Sequence, residues 1–105
     1  MAAKLTPMEY LRQQHGPLAD AFQALRKATA EGPLDEATCE LVALGSLATT
    51  GEMASFKVHA RRARKIGVSA DAMRQAIFVT FGATTTFSQV SAALHWIDDV
   101  FEAEA

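Results

Sequence analysis

Apolar positions recur along this chain at intervals of three and four, the spacing that places side chains on one face of an α-helix. Leu18, Phe22 and Leu25 make one stripe, Leu41, Leu44 and Ala48 a second, and Met53, Phe56, Ala60 and Ala63 a third. Met73, Ala76, Ile77 and Phe81 make a fourth, and Phe87, Val90, Leu94, Ile97 and Phe101 a fifth. The punctuation between stripes agrees with them. Thr6-Pro7-Met8-Glu9 reads as a capping box with proline at the first helical position, so a short helix starts there. Gly16-Pro17 interrupts it, because the residue before proline is pushed out of the α region. A second helix is predicted over about 17–30, ended by Gly32-Pro33. Asp35 caps a third over 36–49, which Thr49-Thr50-Gly51 breaks. A fourth covers 52–66 and stops at Gly67; Ser69 starts a fifth. Gly82 to Thr86 makes the next turn, and the threonines at its end cap a last helix over 86–103. No segment alternates apolar and polar residues long enough to predict a strand. The expected architecture is all-α, a compact bundle of five to six helices, with N-terminal helices in 1–32 and a helical core in 33–103 of one domain.

Composition sharpens this picture. A chain of 105 residues has room for a single core. Ala fills 21 positions against 3 Pro and 6 Gly, a balance that favours helices. The net charge of -2 leaves no global basic field for a nucleic-acid backbone, so no nucleic-acid partner is expected. No apolar run approaches the roughly 20 residues that span a bilayer, so no membrane partner is expected. The opening Met-Ala-Ala-Lys-Leu-Thr-Pro has no signal-like apolar stretch, and a cytoplasmic location is the expectation. The single cysteine, Cys39, excludes an intramolecular disulfide and a self-contained dithiol enzyme. The last helix carries a second apolar row, Ala93, Trp96 and Val100, and the fifth broadens through Phe78 and Val79. One short chain can bury one face per helix, so self-association is expected.

Chemistry concentrates in four polar residues. Glu52, Ser55 and His59 lie at i, i+3 and i+7 and share a helix face. Glu40 comes from the preceding helix and can meet His59 if the two helices form a hairpin. Ser55 and His59 are four apart, so with Glu40 they can also compose a serine–histidine–carboxylate arrangement. Carboxylates and imidazole suit divalent metals, but no metal-binding motif accompanies them, and neither metal nor cofactor is expected. The run His59-Ala60-Arg61-Arg62-Ala63-Arg64-Lys65 reads as a solvated face near a helix C-terminus. It can also raise the local potential for an anionic substrate or pair with acids such as Asp98 and Glu102 of a neighbouring subunit.

The text Leu34-Asp35-Glu36-Ala37-Thr38-Cys39-Glu40-Leu41-Val42-Ala43-Leu44 resembles the carboxymuconolactone decarboxylase and alkylhydroperoxidase D superfamily. So do Phe56-Lys57-Val58-His59-Ala60-Arg61-Arg62-Ala63 and Lys65-Ile66-Gly67-Val68-Ser69, and the resemblance runs from Pro33 to Glu102. In the peroxidase branch a glutamate, two cysteines and a histidine recur in order. Glu40 stands at the glutamate place and His59 at the histidine place, while Glu52 and Ser55 stand where the cysteines belong. The resemblance implies a homo-oligomer, a dimer-based trimer or hexamer, acting on a small-molecule ligand. It also implies proton relay by His59 and Glu40. Without the paired thiols, peroxide reduction loses its redox half, since a serine hydroxyl lacks sulfur's oxidation states. The decarboxylase branch then supplies the expectation: His59 and Glu40 as candidate catalytic groups, with Ser55, Glu52 and Phe56 contacting substrate in a pocket walled by Leu44 and Phe56. Two alternatives stand beside it, a non-catalytic binding or assembly module and a peroxidase that uses Cys39 with an external reductant.

Overall fold

In the computed structural model of the chain, residues 4–103 are described. They form α1 (Pro7–Gln14), α2 (Gly16–Thr29), α3 (Glu36–Thr50), α4 (Met53–Lys65), α5 (Ala70–Thr80) and α6 (Phe87–Ala103). The fold is all-α, and where both ends were predicted the helix bounds fall within a residue of the expectation. Among the described residues the only extended pairing is an isolated bridge between Phe81 and Thr85. None of these helices is long and apolar enough to cross a membrane.

Contacts divide the chain into two units, Met1–Leu34 and Asp35–Ala105. The first holds α1 and α2. Thr6 Oγ1 accepts from the Glu9 N–H at 3.2 Å and Glu9 Oε2 accepts from the Thr6 N–H at 3.4 Å, the reciprocal box that the sequence announces. Arg12 pairs with Asp20 at 2.7 Å and ties the two helices. Ala19 is the one buried residue of α2. The expected packing stripe of Leu18, Phe22 and Leu25 instead stands exposed, Leu18 at 59%. Two short helices have no second layer to cover such a stripe.

In the second unit, α3, α5 and α6 each start on a side-chain cap. Asp35 Oδ1 accepts from the Thr38 N–H at 2.7 Å, and Ser69 Oγ from the Ala72 N–H at 3.0 Å. Thr86 and Gln89 form a second reciprocal box, at 3.1 and 2.8 Å. Gln89 Nε2 also donates to the Thr49 carbonyl at 2.8 Å, satisfying one of the orphan acceptors at the end of α3. That end turns on Gly51, whose φ of +74° is a left-handed value that side chains avoid. Its N–H returns to the Leu47 carbonyl at 3.1 Å. A link of two residues, Gly51 and Glu52, then folds α4 back along α3 as a helical hairpin.

The Asp35 cap yields a pH prediction. Hydrogen bonds from Thr38, its hydroxyl first and its backbone N–H second, hold the carboxyl below its ordinary 3.8. A group whose folded value is depressed stabilises the fold above the unfolded value and loses that contribution as pH falls through the folded one. Wild type is therefore expected to melt above Asp35→Asn at neutral pH, with the gap closing below pH 3.8, as thermal unfolding followed by circular dichroism across pH will show.

The core of this unit draws Leu44 and Ala48 from α3, Phe56, Ala60 and Ala63 from α4, and Met73 and Ile77 from α5. From α6 it takes Val90, Ala93, Ile97 and Val100. This corrects the reading of α6. Ala93 and Val100, assigned to an outward row, are buried, and Trp96 packs on the core with its ring 5.4 Å from that of Phe56. Phe87, assigned to the inward row, is 76% exposed. The helix is rolled toward α4 because the large Phe56 ring offers Trp96 an aromatic partner. Phe81 also leaves the expected stripe, since it caps α5 in an extended conformation and stays exposed. Met53 is exposed on the first turn of α4. Between α3 and α5 the approach is close at Gly45, where a Cβ would lie 3.3 Å from the Thr80 methyl. Thr80 is held in place, its hydroxyl donating to the Ile77 carbonyl at 2.6 Å and bonded to Thr85 at 3.1 Å.

Candidate functional site

The α3–α4 hairpin brings an acid and an imidazole together. His59 Nδ1 lies 2.7 Å from Glu40 Oε2, and each side chain is only 14% exposed. Helical side chains lean toward the N-terminus, so His59 points back over the turn that carries Ser55. An ionised carboxylate only accepts, so Nδ1 carries the hydrogen of this contact. The ring nitrogen left outside this contact is then Nε2. Such a pair fixes the ring's tautomer and orientation and stabilises the imidazolium when it forms, the role a carboxylate plays behind a histidine in acid–base sites.

The other expected site residues separate. Ser55 is the third residue of α4 and half-buried; among the described residues no hydrogen bond joins it to His59. Glu52 is the N-cap of α4, exposed, and its side chain makes no capping bond. Phe56 has no exposed surface, so it belongs to the wall behind the site and cannot touch a ligand in this chain as it stands. Leu44 is likewise wholly buried. A groove of about 560 Å³ does open, between α3 and α5, with Leu41, Val42, Ala76 and Val79 on its walls. It lies on the far side of α3 from Glu40, because Thr38 and Val42, which line it, sit two residues either side of that acid.

Cys39 is a half-buried thiol in no disulfide, about 100° round α3 from Glu40. His15 is exposed between α1 and α2, and His95 is exposed on α6. Among the described residues no three of His, Cys, Asp and Glu stand close enough to hold a metal ion. Of Asp98 and Glu102, offered as partners for another subunit's basic run, Asp98 finds a cation in its own chain, as does the neighbouring Asp99. Asp99 pairs with Lys57 at 3.1 Å, and Asp98 with Arg74 at 3.1 Å. Arg64 donates to the Val100 carbonyl and lies 5.1 Å over the Phe101 ring. Reading the run as one solvated face hides Arg62, whose spacing of three from His59 sets it on the adjoining turn.

The sequence model of the carboxymuconolactone decarboxylase family matches residues 16–99, about four-fifths of the chain. The match starts at α2, well before Pro33, where the resemblance read from sequence began. No curated protein and no solved structure matches the chain. With one cysteine, at position 39, and Glu52 and Ser55 at the thiol places, there is no CxxC pair. The chain belongs to the carboxymuconolactone decarboxylase family and lacks the dithiol of its peroxidase branch.

Proposed function

We propose that this protein performs acid–base chemistry on a small carboxylated metabolite, with His59 as the proton-moving group and Glu40 as its orienting carboxylate. The 2.7 Å contact between them carries the reading, because it leaves Nε2 poised for proton transfer in a half-sheltered place. In a decarboxylation the bond to the carboxylate carbon breaks and carbon dioxide leaves. The electron pair passes into an adjacent carbonyl, and the imidazolium returns a proton to carbon. The step is redox-neutral and needs no thiol. Ser55, one turn away, is placed to hold a water or a substrate oxygen, and Glu52 stands at the helix entry. A cytoplasmic setting is part of this reading.

The test is carbon dioxide release by the purified protein across a panel of lactone and β-keto carboxylates. Turnover that depends on His59 supports the reading. Binding without turnover on any of them would leave a non-catalytic module.

The same proposal includes assembly into a homo-oligomer, with a dimer-based trimer or hexamer as the form the family resemblance implies. Its support is the apolar surface left uncovered on α3 and α5: Val42, Phe78 and Val79, the last 72% exposed. Val79→Asp is expected to lower the mass measured by light scattering behind size exclusion while helical circular dichroism stays unchanged. A wild type with the mass of one chain would end this part of the proposal.

A further inference from the structure

We infer that Arg62 is the anion anchor of the Glu40–His59 site, receiving a substrate carboxylate and holding it beside His59 Nε2; this deepens the acid–base reading and rests on it. At 100° per residue, Ser55, His59 and Arg62 fall within a 60° sector of α4, and Arg62 lies one turn, about 4.5 Å, beyond His59. Its side chain leans back toward the N-terminus, over the turn that carries the imidazole. The other cations of this stretch are differently placed. Lys57 is paired with Asp99, Arg64 is spent on α6, and Arg61 projects about 200° round the helix from His59. Arg62 is exposed, and among the described residues its guanidinium has no ion-pair or hydrogen-bond partner. Glu36, one turn before Glu40 on α3, is the acid toward the same end of the hairpin, and no ion pair joins it to Arg62 among the described residues.

The chemistry fits a carboxylate. A guanidinium presents a planar fork that matches the two oxygens of a carboxylate, which a lysine cannot do. The imidazolium form of His59 adds a second donor, and the Ser55 hydroxyl a third. The residues thus select an anion with its reactive carbon next to the carboxylate held by Arg62. A dicarboxylate suits this arrangement best, one group anchored and the other leaving.

The experiment is a titration of the His59 ring signals, by NMR on labelled full-length protein at low salt, with glutarate as the probe and its neutral diamide as the control. The expected result is a saturable shift with glutarate, none with the diamide, and a dissociation constant raised tenfold or more in Arg62→Gln. Arg62→Lys should fall between, keeping the charge without the fork. Arg61→Gln removes the same charge from the opposite flank and should leave binding near the wild-type value. Equal weakening by Arg61→Gln and Arg62→Gln would overturn the proposal in favour of diffuse charge. So would an absence of glutarate-dependent shifts in the wild type. The readout does not require turnover: in a His59→Asn protein the same titration is followed by backbone amide shifts of α4, and intact glutarate binding there with carbon dioxide still released would sink the acid–base reading and spare the anchor.

Discussion

Replacing His59 by asparagine is expected to lower kcat by about 10²–10⁴, the usual contribution of a positioned acid–base group. Asparagine is the informative choice because its amide nitrogen occupies the place of Nδ1. It can keep the hydrogen bond to Glu40 while removing Nε2. Alanine would also remove activity, but it would strand a carboxylate that is only 14% exposed, at a cost of about 1–3 kcal/mol for the unsatisfied group. A loss of rate in His59→Ala would then mix chemistry with damage to the hairpin. Glu40→Gln separates the second partner's role. The amide still meets the ring but brings no charge to an imidazolium. Hydrogen bonds to charged groups contribute about 1.5–3 kcal/mol, so the rate should fall on the order of ten- to a hundredfold. Steady-state kinetics on the carboxylate found by the turnover screen gives the answer, with circular dichroism to check the fold. His59→Asn at wild-type rates would remove the imidazole from the mechanism.

The hairpin that makes this prediction possible was written in local signals. Asp35 and Gly51 bound α3, Glu52 ends a two-residue link as the N-cap of α4, and nineteen positions separate Glu40 from His59. Once the helices are fixed, so short a link leaves little choice but to fold back, and the acid meets the ring. The caps at Thr6, Ser69 and Thr86 were legible for the same reason: each satisfies orphan N–H groups within three residues of itself. What sequence could not supply was the rotation of each helix about its own axis. On α6 two apolar rows lie side by side, and composition ranks them equally. The structure buries Ala93 and Val100 because Phe56 of α4 receives Trp96, a pairing between residues forty apart. The groove was hidden for a related reason. It depends on how closely α3 and α5 approach at Gly45, which is a property of the pair and of neither helix alone. The same gap in periodicity made Phe56 look like a ligand contact, since its stripe adjoins that of Ser55 and His59.

Phe56→Ala is expected to destabilise the fold by about 3–5 kcal/mol, the range for deleting a buried aromatic ring. The ring is wholly buried and packs at 5.4 Å, tilted by 59°, on Trp96, so its removal opens a cavity and strips an aromatic pair in one step. Against a total of about 5–15 kcal/mol for a domain, that is enough to leave a sizeable unfolded population. Denaturant unfolding at fixed protein concentration should show the midpoint fall with the slope unchanged, because the surface exposed on unfolding is nearly the same. Holding concentration fixed matters if copies assemble, since assembly adds its own stabilisation. Phe56→Leu tells core from ligand contact. Leucine refills much of the space, so a core residue loses less stability than with alanine and leaves KM near the wild-type value. A ligand contact would do the reverse, raising KM with little change in the unfolding midpoint. Burial predicts the first outcome; the second would mean that Phe56 swings out of the core when substrate arrives, and that the wall behind His59 opens in the working protein.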